Sequence, residues 1–485
     1  MASVNRKWYS GMLTQEDWWA VWLGLIMFFA GLLSITGVDL VGWMAKTHTW
    51  VNPADGLSAS GKAYKDMHPL LSLLITYIVF TALTTTGAYF MKLNVKKFLY
   101  GWTIIFAITW ACWFIGHEAH FKAVPQDWDK YGITWGLALG GGFSYILALL
   151  VGLFIGNFTK GFAKTLYEAA KPEWYIKTAI VFLGIKVGLM TMQAAGFTFE
   201  LALAGMAATF VAYMLFWPIV YSLGRKVFKL PRQWAATLAS GISICGVSAA
   251  VATAGAIRAR PIIPVMVSML IVVFAMIELL ILPPLYTATL DHEPIVAGAA
   301  MGMTVKTDGA DAAAGAVLDE MMRAKAAAAG TMWQEGWILT SAIMTKVWID
   351  MFIGLWAFVL AIIWVYKVER KPGQLTVGKS EIWYRFPKFV LGYIFTWLVY
   401  VGIAVLLPDL IDAAMVGAKT VQSPMRKMMF MLTFVSIGII TDFSKLKGMG
   451  RMALLYAVAL FLIIAPIALV VSYVFHHGMM PPAAG

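Results

Sequence analysis

Apolar runs of about twenty residues, bounded by short polar or charged stretches, recur along the whole chain. Thirteen segments can be delimited: 18–42, 68–91, 98–120, 131–157, 174–193, 199–223, 233–257, 262–288, 295–317, 333–366, 386–407, 425–443 and 452–475. Segment 174–193 is short, and 295–317 is rich in Ala and Gly and carries charges. None alternates with the two-residue period of a barrel strand, and lipid otherwise admits only helices. The pattern predicts an all-α polytopic membrane protein of about 13 transmembrane helices.

The segments divide unevenly. The first three fall within residues 1–125, contain the long polar loop Trp50–Met67, and form an N-terminal extension. The remaining ten split into five plus five, 131–288 and 295–475. The fourth of each five opens with Pro and Arg, as LPRQWAATLASGISICG and SPMRKMMFMLTFVSIG. In both, small residues fall in mid-span some way after the proline, the sequence trace of two inverted repeats with broken helices. Breaks are therefore expected within 233–257 and 425–446, crossing near the membrane midplane.

Composition narrows the class. Of the 485 residues 61% are hydrophobic and 13% charged, with mean hydropathy +0.77, whereas a soluble domain carries about a quarter charged residues. A soluble enzyme, a nucleic-acid binder and a disulfide scaffold are poor fits. The net charge of +12 comes mostly from Lys and Arg in short loops, where they set orientation and meet anionic headgroups. Their asymmetry favours a cytoplasmic N-terminus and an outer C-terminus in the cell (inner) membrane. No removable signal peptide is expected, because MASVNRKWYSGMLTQEDWW lacks a small-residue cleavage site. Cys112 and Cys245 are too few for a thiolate metal site, and His117 with His120 would need further ligands. No nucleotide, haem or nucleophile motif is present. Hence no cofactor, no metal, no nucleic-acid partner and no enzyme activity are expected.

The chemistry concentrates in Leu238–Ala250, where Gly241 and Gly246 bracket Ser243, Ile244 and Cys245 inside an apolar span. Glycine weakens a helix, and N–H groups freed at membrane depth survive only in protein or facing a cavity. A half-helix beginning near Ser243–Gly246 would aim N–H donors at one point, an anion site to which Ser240, Ser243 and Ser248 add hydroxyls. A plain small-residue helix contact is the competing reading. Cys245, beside the break, is expected to be reachable from water.

Charges within spans default to functional candidates. Lys306, Asp308 and Asp311 sit in 295–317; either they share one site or that stretch is a solvated hairpin near Asp319, Glu320, Arg323 and Lys325. Lys346 and Asp350 share a helical face at i,i+4. Lys186 is given no role, Glu278 reads as interfacial ahead of Pro283-Pro284, and His476-His477 as a solvated end. Gly136-x-x-x-Gly140 and Gly152-x-x-x-Gly156 read as close helix packing.

SGISICGVSAAVATAGAIRA resembles the signature of the YeiH-type sulfate exporter family, which carries a Ser-Ile-Cys-Gly motif before an Ala-rich helix. GMTVKTDGADAAAGAV and FVSIGIITDFSKLKGMG resemble later segments of that family, in order, so the likeness covers about 131–475. The extension then looks like that of a longer subgroup. The resemblance implies a ten-helix inverted-repeat core, related to the bile-acid/arsenite transporter superfamily, and retains Lys346. It departs at Lys306 and Thr307, where short members have His and Glu, and at Asp442, where they have His.

Together these readings imply a secondary transporter of a small anion working by alternating access, sulfate, sulfite or a sulfonate by resemblance. Ser240, Gly241, Ser243, Ile244, Cys245, Gly246, Thr304, Lys306, Ser436 and Gly438 would bind it, beside a charge network of Asp308, Asp311, Lys346 and Asp350. A proton or sodium could couple, a homodimer stays open, and the bilayer is the other partner. The alternatives are a cation- or proton-coupled carrier of bicarbonate or a carboxylate, an unsaturable pore, and a non-transporting subunit or sensor.

Overall fold

The computed structural model describes residues 11–123, 127–137, 142–193, 195–257, 259–260, 262–364, 368, 388–446 and 449–484. Gly140 and the basic stretch 369–387, part of the orientation argument, lie outside the described residues. The chain is helical: α1 (Glu16–Leu32), α2 (Pro69–Phe90), α3 (Val95–Ile115), α4 (Gly142–Phe158), α5 (Pro172–Gln193) and α6 (Ala195–Lys226) come first. There follow α7a (Arg232–Ser243) and α7b (Val247–Ala256), α8 (Ile262–Thr289), then α9a (Pro294–Thr304) and α9b (Asp308–Ala328). The last are α10 (Trp337–Ile363), α11 (Phe389–Leu406), α12 (Pro408–Ile440) and α13 (Gly450–His476). Among the described residues eight of these are long and apolar enough to cross a bilayer: α1 to α3, α6, α8 and α11 to α13. α4 meets the short helix Lys160–Leu166 at 116°.

α2 turns most of its small and polar residues inward. On α2, Ser72, Thr76, Phe80, Thr84 and Ala88 recur every four residues and are buried, while Leu70, Leu74 and Ile78 lie outward and exposed. In lipid an apolar outer face costs nothing, and small polar residues let helices approach. The same inner face fastens the long loop. Ser72 donates to the Trp43 carbonyl, and Thr76 Oγ1 accepts the Ala45 N–H. This secures the loop's hairpin of β1 (Ala45–Thr47) and β2 (Leu57–Ala59), paired antiparallel.

α5 is the central helix. Every residue from Trp174 to Lys186 is buried, its Lys177 paired with Asp17 at 2.7 Å, and the helix packs against α1, α11 and α12. α1 also packs on α11 and α12, so the first segment of the extension is seated on the core.

The structure corrects the expected break at 425–446. α12 is continuous from Arg426 to Ile440, preceded by a widened π turn at Val421–Met425, and it ends only at Thr441. Its small residues serve packing instead. A Cβ on Gly438 would lie 2.5 Å from the Leu153 amide nitrogen and 2.6 Å from Gly152 Cα, and one on Gly152 would lie 2.4 Å from the Val435 carbonyl oxygen. Here α4 and α12 touch backbone to backbone. The second interruption lies in 294–328 instead, between α9a and α9b.

Candidate functional site

The two interrupted helices meet at their breaks. α7a stops at Ser243, Ile244 takes a non-helical conformation (φ −114°, ψ −108°), and Gly246 restarts the chain at φ 70°, ψ −116°. Only glycine adopts that last conformation without strain. The space agrees with the dihedrals, since a Cβ on Gly246 would sit 2.2 Å from the Lys306 carbonyl oxygen. α9a stops at Thr304, Val305 is extended, and Thr307 caps α9b by accepting the Ala310 N–H at 3.1 Å. Thr at N-cap is a favourable helix start, and it accounts for a break that no glycine marks.

Lys346, from α10, joins the two breaks. Its Nζ donates to the carbonyls of Ile244 and Val305, 3.2 Å in each case. These carbonyls lie just past the C-terminal ends of α7a and α9a, where the last carbonyls lack intrahelical partners and the helix dipoles are negative. One ammonium thus serves two helix ends, deep in protein at 3% exposure. α10 is held in place by Asp319 of α9b, whose carboxylate accepts the N–H groups of Gly336 at 3.0 Å and Ile338 at 3.2 Å and the Arg323 Nε–H at 2.8 Å. Asp319 is therefore a buried cap rather than a solvated surface charge.

Glu278, on α8, faces the same place and overturns its reading as interfacial. It is fully buried, and its Oε2 accepts the Lys306 N–H at 3.2 Å. Its Oε1 has no hydrogen-bond partner among the described residues. α8 continues through Pro283 and Pro284 to Thr289, so Glu278 lies mid-helix. Lys306 turns its ammonium to the Met303 carbonyl and over the Phe216 ring, 5.0 Å from the centroid. Glu278, Lys306, Lys346 and Asp311 lie close enough to act on one another electrostatically. Asp350 is buried at 1% exposure, one turn along α10 from Lys346.

The other expected site residues divide. Ser243 Oγ is buried at the break without a hydrogen-bond partner among the described residues. Ser240 Oγ accepts the indole N–H of Trp217 at 2.9 Å, and Thr304 donates back to the Ala300 carbonyl at 2.7 Å. Gly241 accepts the Gly246 N–H through its carbonyl. Cys245 is buried at 3% exposure, so in this conformation it is not reachable from water as expected. The side chains of Ser248 and Asp308 lie outside the described residues. Gly438 belongs to the α4–α12 contact, and Ser436 is buried on the same unbroken stretch of α12. The solvated-hairpin reading of 295–317 fails, since every residue of α9a is buried.

Two other readings change. Lys186, given no role from the sequence, pairs with Glu335 at 3.4 Å. His476 is buried and bonded to the Ser472 carbonyl, while exposed His477 pairs with Glu293 at 2.6 Å. Among the described residues no group of His, Cys, Asp and Glu could hold a metal ion. The arrangement therefore gathers two lysines (Lys306, Lys346) and two carboxylates (Glu278, Asp311) at two facing backbone breaks, each at most 3% exposed.

The sequence of this region places the chain among known proteins. The model of the family described as conserved hypothetical protein 698 matches residues 142–457, which include both breaks. A UPF0324 membrane protein of Nitrosomonas europaea is 64% identical over 487 residues, 99% of this chain and 100% of that protein. One from Rhodopirellula baltica is 32% identical over 85% of this chain and 68% of its own length. A shorter one from Streptococcus agalactiae is 26% identical over 66% of this chain and 85% of its own. The chain belongs to the conserved hypothetical protein 698 family of UPF0324 membrane proteins.

Proposed function

We propose that the protein is a secondary carrier of a small anion, with the crossing of α7 and α9 as its transport site. The observation that supports this most is Lys346 bonded at once to the carbonyls of Ile244 and Val305. Irregular backbone at membrane depth is tolerated where it lines a substrate path, and facing half-helices are the usual architecture of such sites. The start of α7b offers freed N–H donors beside the Ser243 hydroxyl, which has no partner among the described residues. Sulfate, sulfite and sulfonates come first as substrates, by resemblance of the Ser-Ile-Cys-Gly stretch alone.

The charges favour coupling. Among the described residues Glu278 and Asp311 stand against Lys306 and Lys346, so an arriving anion would bring a charge that they do not balance. Burying unbalanced charge is costly, so a proton on a carboxyl, with Glu278 the first candidate, or a sodium ion would travel with the anion. This supports a carrier coupled to a proton or sodium. An inner-membrane location with a cytoplasmic N-terminus is part of the same proposal.

A thermal-shift series on purified protein tests it, with sulfate, sulfite, methanesulfonate, bicarbonate and acetate at several pH values, with and without sodium. A true substrate at a hundred times its Kd stabilises by about 2.7 kcal/mol through mass action. The proposal expects one anion to do so in the wild type and not in Ser243→Ala. A melting temperature indifferent to every anion under all conditions would count for a structural subunit instead.

A further inference from the structure

A second charged site lies away from the crossing. α3 ends at Ile115, and the segment after it folds into the short helix Ala119–Lys122. That segment meets α9b, the turn before α10, and α12 around a cavity of about 200 Å³. Lys122, His117, Glu320, Arg323, Glu335 and Lys427 face it. A neighbouring cavity of about 190 Å³ shares Lys122, Glu320 and Arg323, and its rim carries the exposed Asp127. The site lies some 20 Å along α9b from the break at Thr307, by helix rise.

The ion pairs around this cavity do not balance. Arg323 holds Asp319 at 2.8 Å and Glu320 at 3.1 Å. Glu335 is shared by Lys186 at 3.4 Å, Lys427 at 3.5 Å and Arg426 at 3.9 Å. These contacts hold Glu335 well below the usual carboxylate range, Lys186 and Lys427 foremost. Lys427 also reaches Glu320, at 3.9 Å. Lys122 has no carboxylate within ion-pair distance among the described residues. Of the residues that face the cavity, Lys122, Arg323 and Lys427 thus stand against Glu320 and Glu335, an excess of one positive charge. Burial and the nearby Lys427 ammonium push the Lys122 amine down to about 8. His117 adds no charge, because burial lowers its imidazole well below its ordinary value.

We propose that this cavity binds a small oxyanion between Lys122, Arg323 and Lys427, and that the N-terminal extension completes the site by supplying Lys122. An anion meets the surplus positive charge, and the oxygens of an oxyanion can accept from ammonium and guanidinium groups together. Its service as an antechamber to the crossing rests on the carrier reading; the binding itself does not.

Amine acylation read by mass spectrometry tests the site on the full chain in detergent at pH 8, with exposed Lys62 and Lys65 as references. Inorganic sulfate or phosphate at about ten times its Kd should slow acylation of Lys122 about tenfold, as simple occupancy requires. Lys62 and Lys65 should be unaffected. Chloride at equal ionic strength should not protect, and Lys122→Gln should weaken sulfate binding by at least tenfold in titration calorimetry. Protection must persist in Lys346→Met, or in Ser243→Ala where the first variant does not fold. Equal acylation of Lys122 in sulfate, phosphate and chloride would overturn the site. So would protection that vanishes with the crossing variants, since the anion would then act from the crossing. Protection of Lys122 in a protein that moves no anion across a membrane would leave this site standing and remove the carrier reading.

Discussion

Lys346→Met is expected to destabilise the protein by about 3–5 kcal/mol, the usual cost of removing one partner from a buried charged group. Met keeps the length of the side chain and loses the ammonium that satisfies the carbonyls of Ile244 and Val305. Two helix ends then keep unpaired carbonyls in a dry interior, and Glu278 and Asp311 lose a nearby positive charge. Adding Glu278→Gln or Asp311→Asn should recover part of the loss, because neighbours in one network couple strongly. Equilibrium unfolding in detergent or ligand-free melting checks both steps. If Lys346→Met costs no more than a surface change, within about half a kcal/mol, the lysine does not hold the crossing. Transport separates roles further. It should stay lost in the double variant if these groups bind or couple, and return if they only join helices.

Gly246→Ala should be nearly as damaging, while Gly241→Ala, five positions earlier, should be mild. At Gly246 a side chain meets φ 70° and a backbone oxygen 2.2 Å away, and neither can yield without moving α9. Backbone strain and overpacking each cost on the order of 1–3 kcal/mol, so a combined loss above about 3 kcal/mol is expected. At Gly241 the nearest atom is Ile271 Cδ1 at 2.7 Å, the far end of a flexible side chain. Alanine also gains about 1 kcal/mol of helix propensity there, which offsets much of the clash. Melting temperatures of the two variants give the comparison directly, and equal behaviour would mean that the break at 244–246 is not held as described.

The first break was readable because its cause is local. Gly246, with Ser243 and Gly241 around it, weakens a helix wherever it stands. The second break was not readable in the same way. Val305-Lys306-Thr307 contains no helix breaker, and what interrupts the helix is the cap by Thr307 together with tertiary support from Glu278 and Lys346. The same focus on small residues misled at Ser436 and Gly438, where glycine serves close approach to Gly152 and the helix runs on. Sequence spacing cannot tell a glycine that opens a backbone from one that lets another backbone in.

Glu278 was misplaced for a related reason. Pro283-Pro284 suggests a helix end, and a carboxylate near an end reads as interfacial. Within a membrane bundle neighbouring helices tolerate such prolines, α8 continues to Thr289, and the glutamate comes to lie inside. The rule that an ionisable group within an apolar span is functional until shown otherwise would have found it. The division of the ten segments into five and five gave no equivalent pair of breaks, since they fall in the seventh and ninth helices in chain order. Lys122 and its cavity were beyond reach of the sequence, because four distant stretches of chain build them.

The most direct measurement is anion flux into proteoliposomes of the purified chain, made with labelled sulfate, sulfite, methanesulfonate and bicarbonate. The transport site proposed at the crossing predicts uptake that saturates with concentration for one of these anions, rises with an inward proton or sodium gradient, and is lost in Lys346→Met protein that still reconstitutes. Uptake that is linear in concentration, indifferent to both gradients and unchanged by Lys346→Met would contradict it.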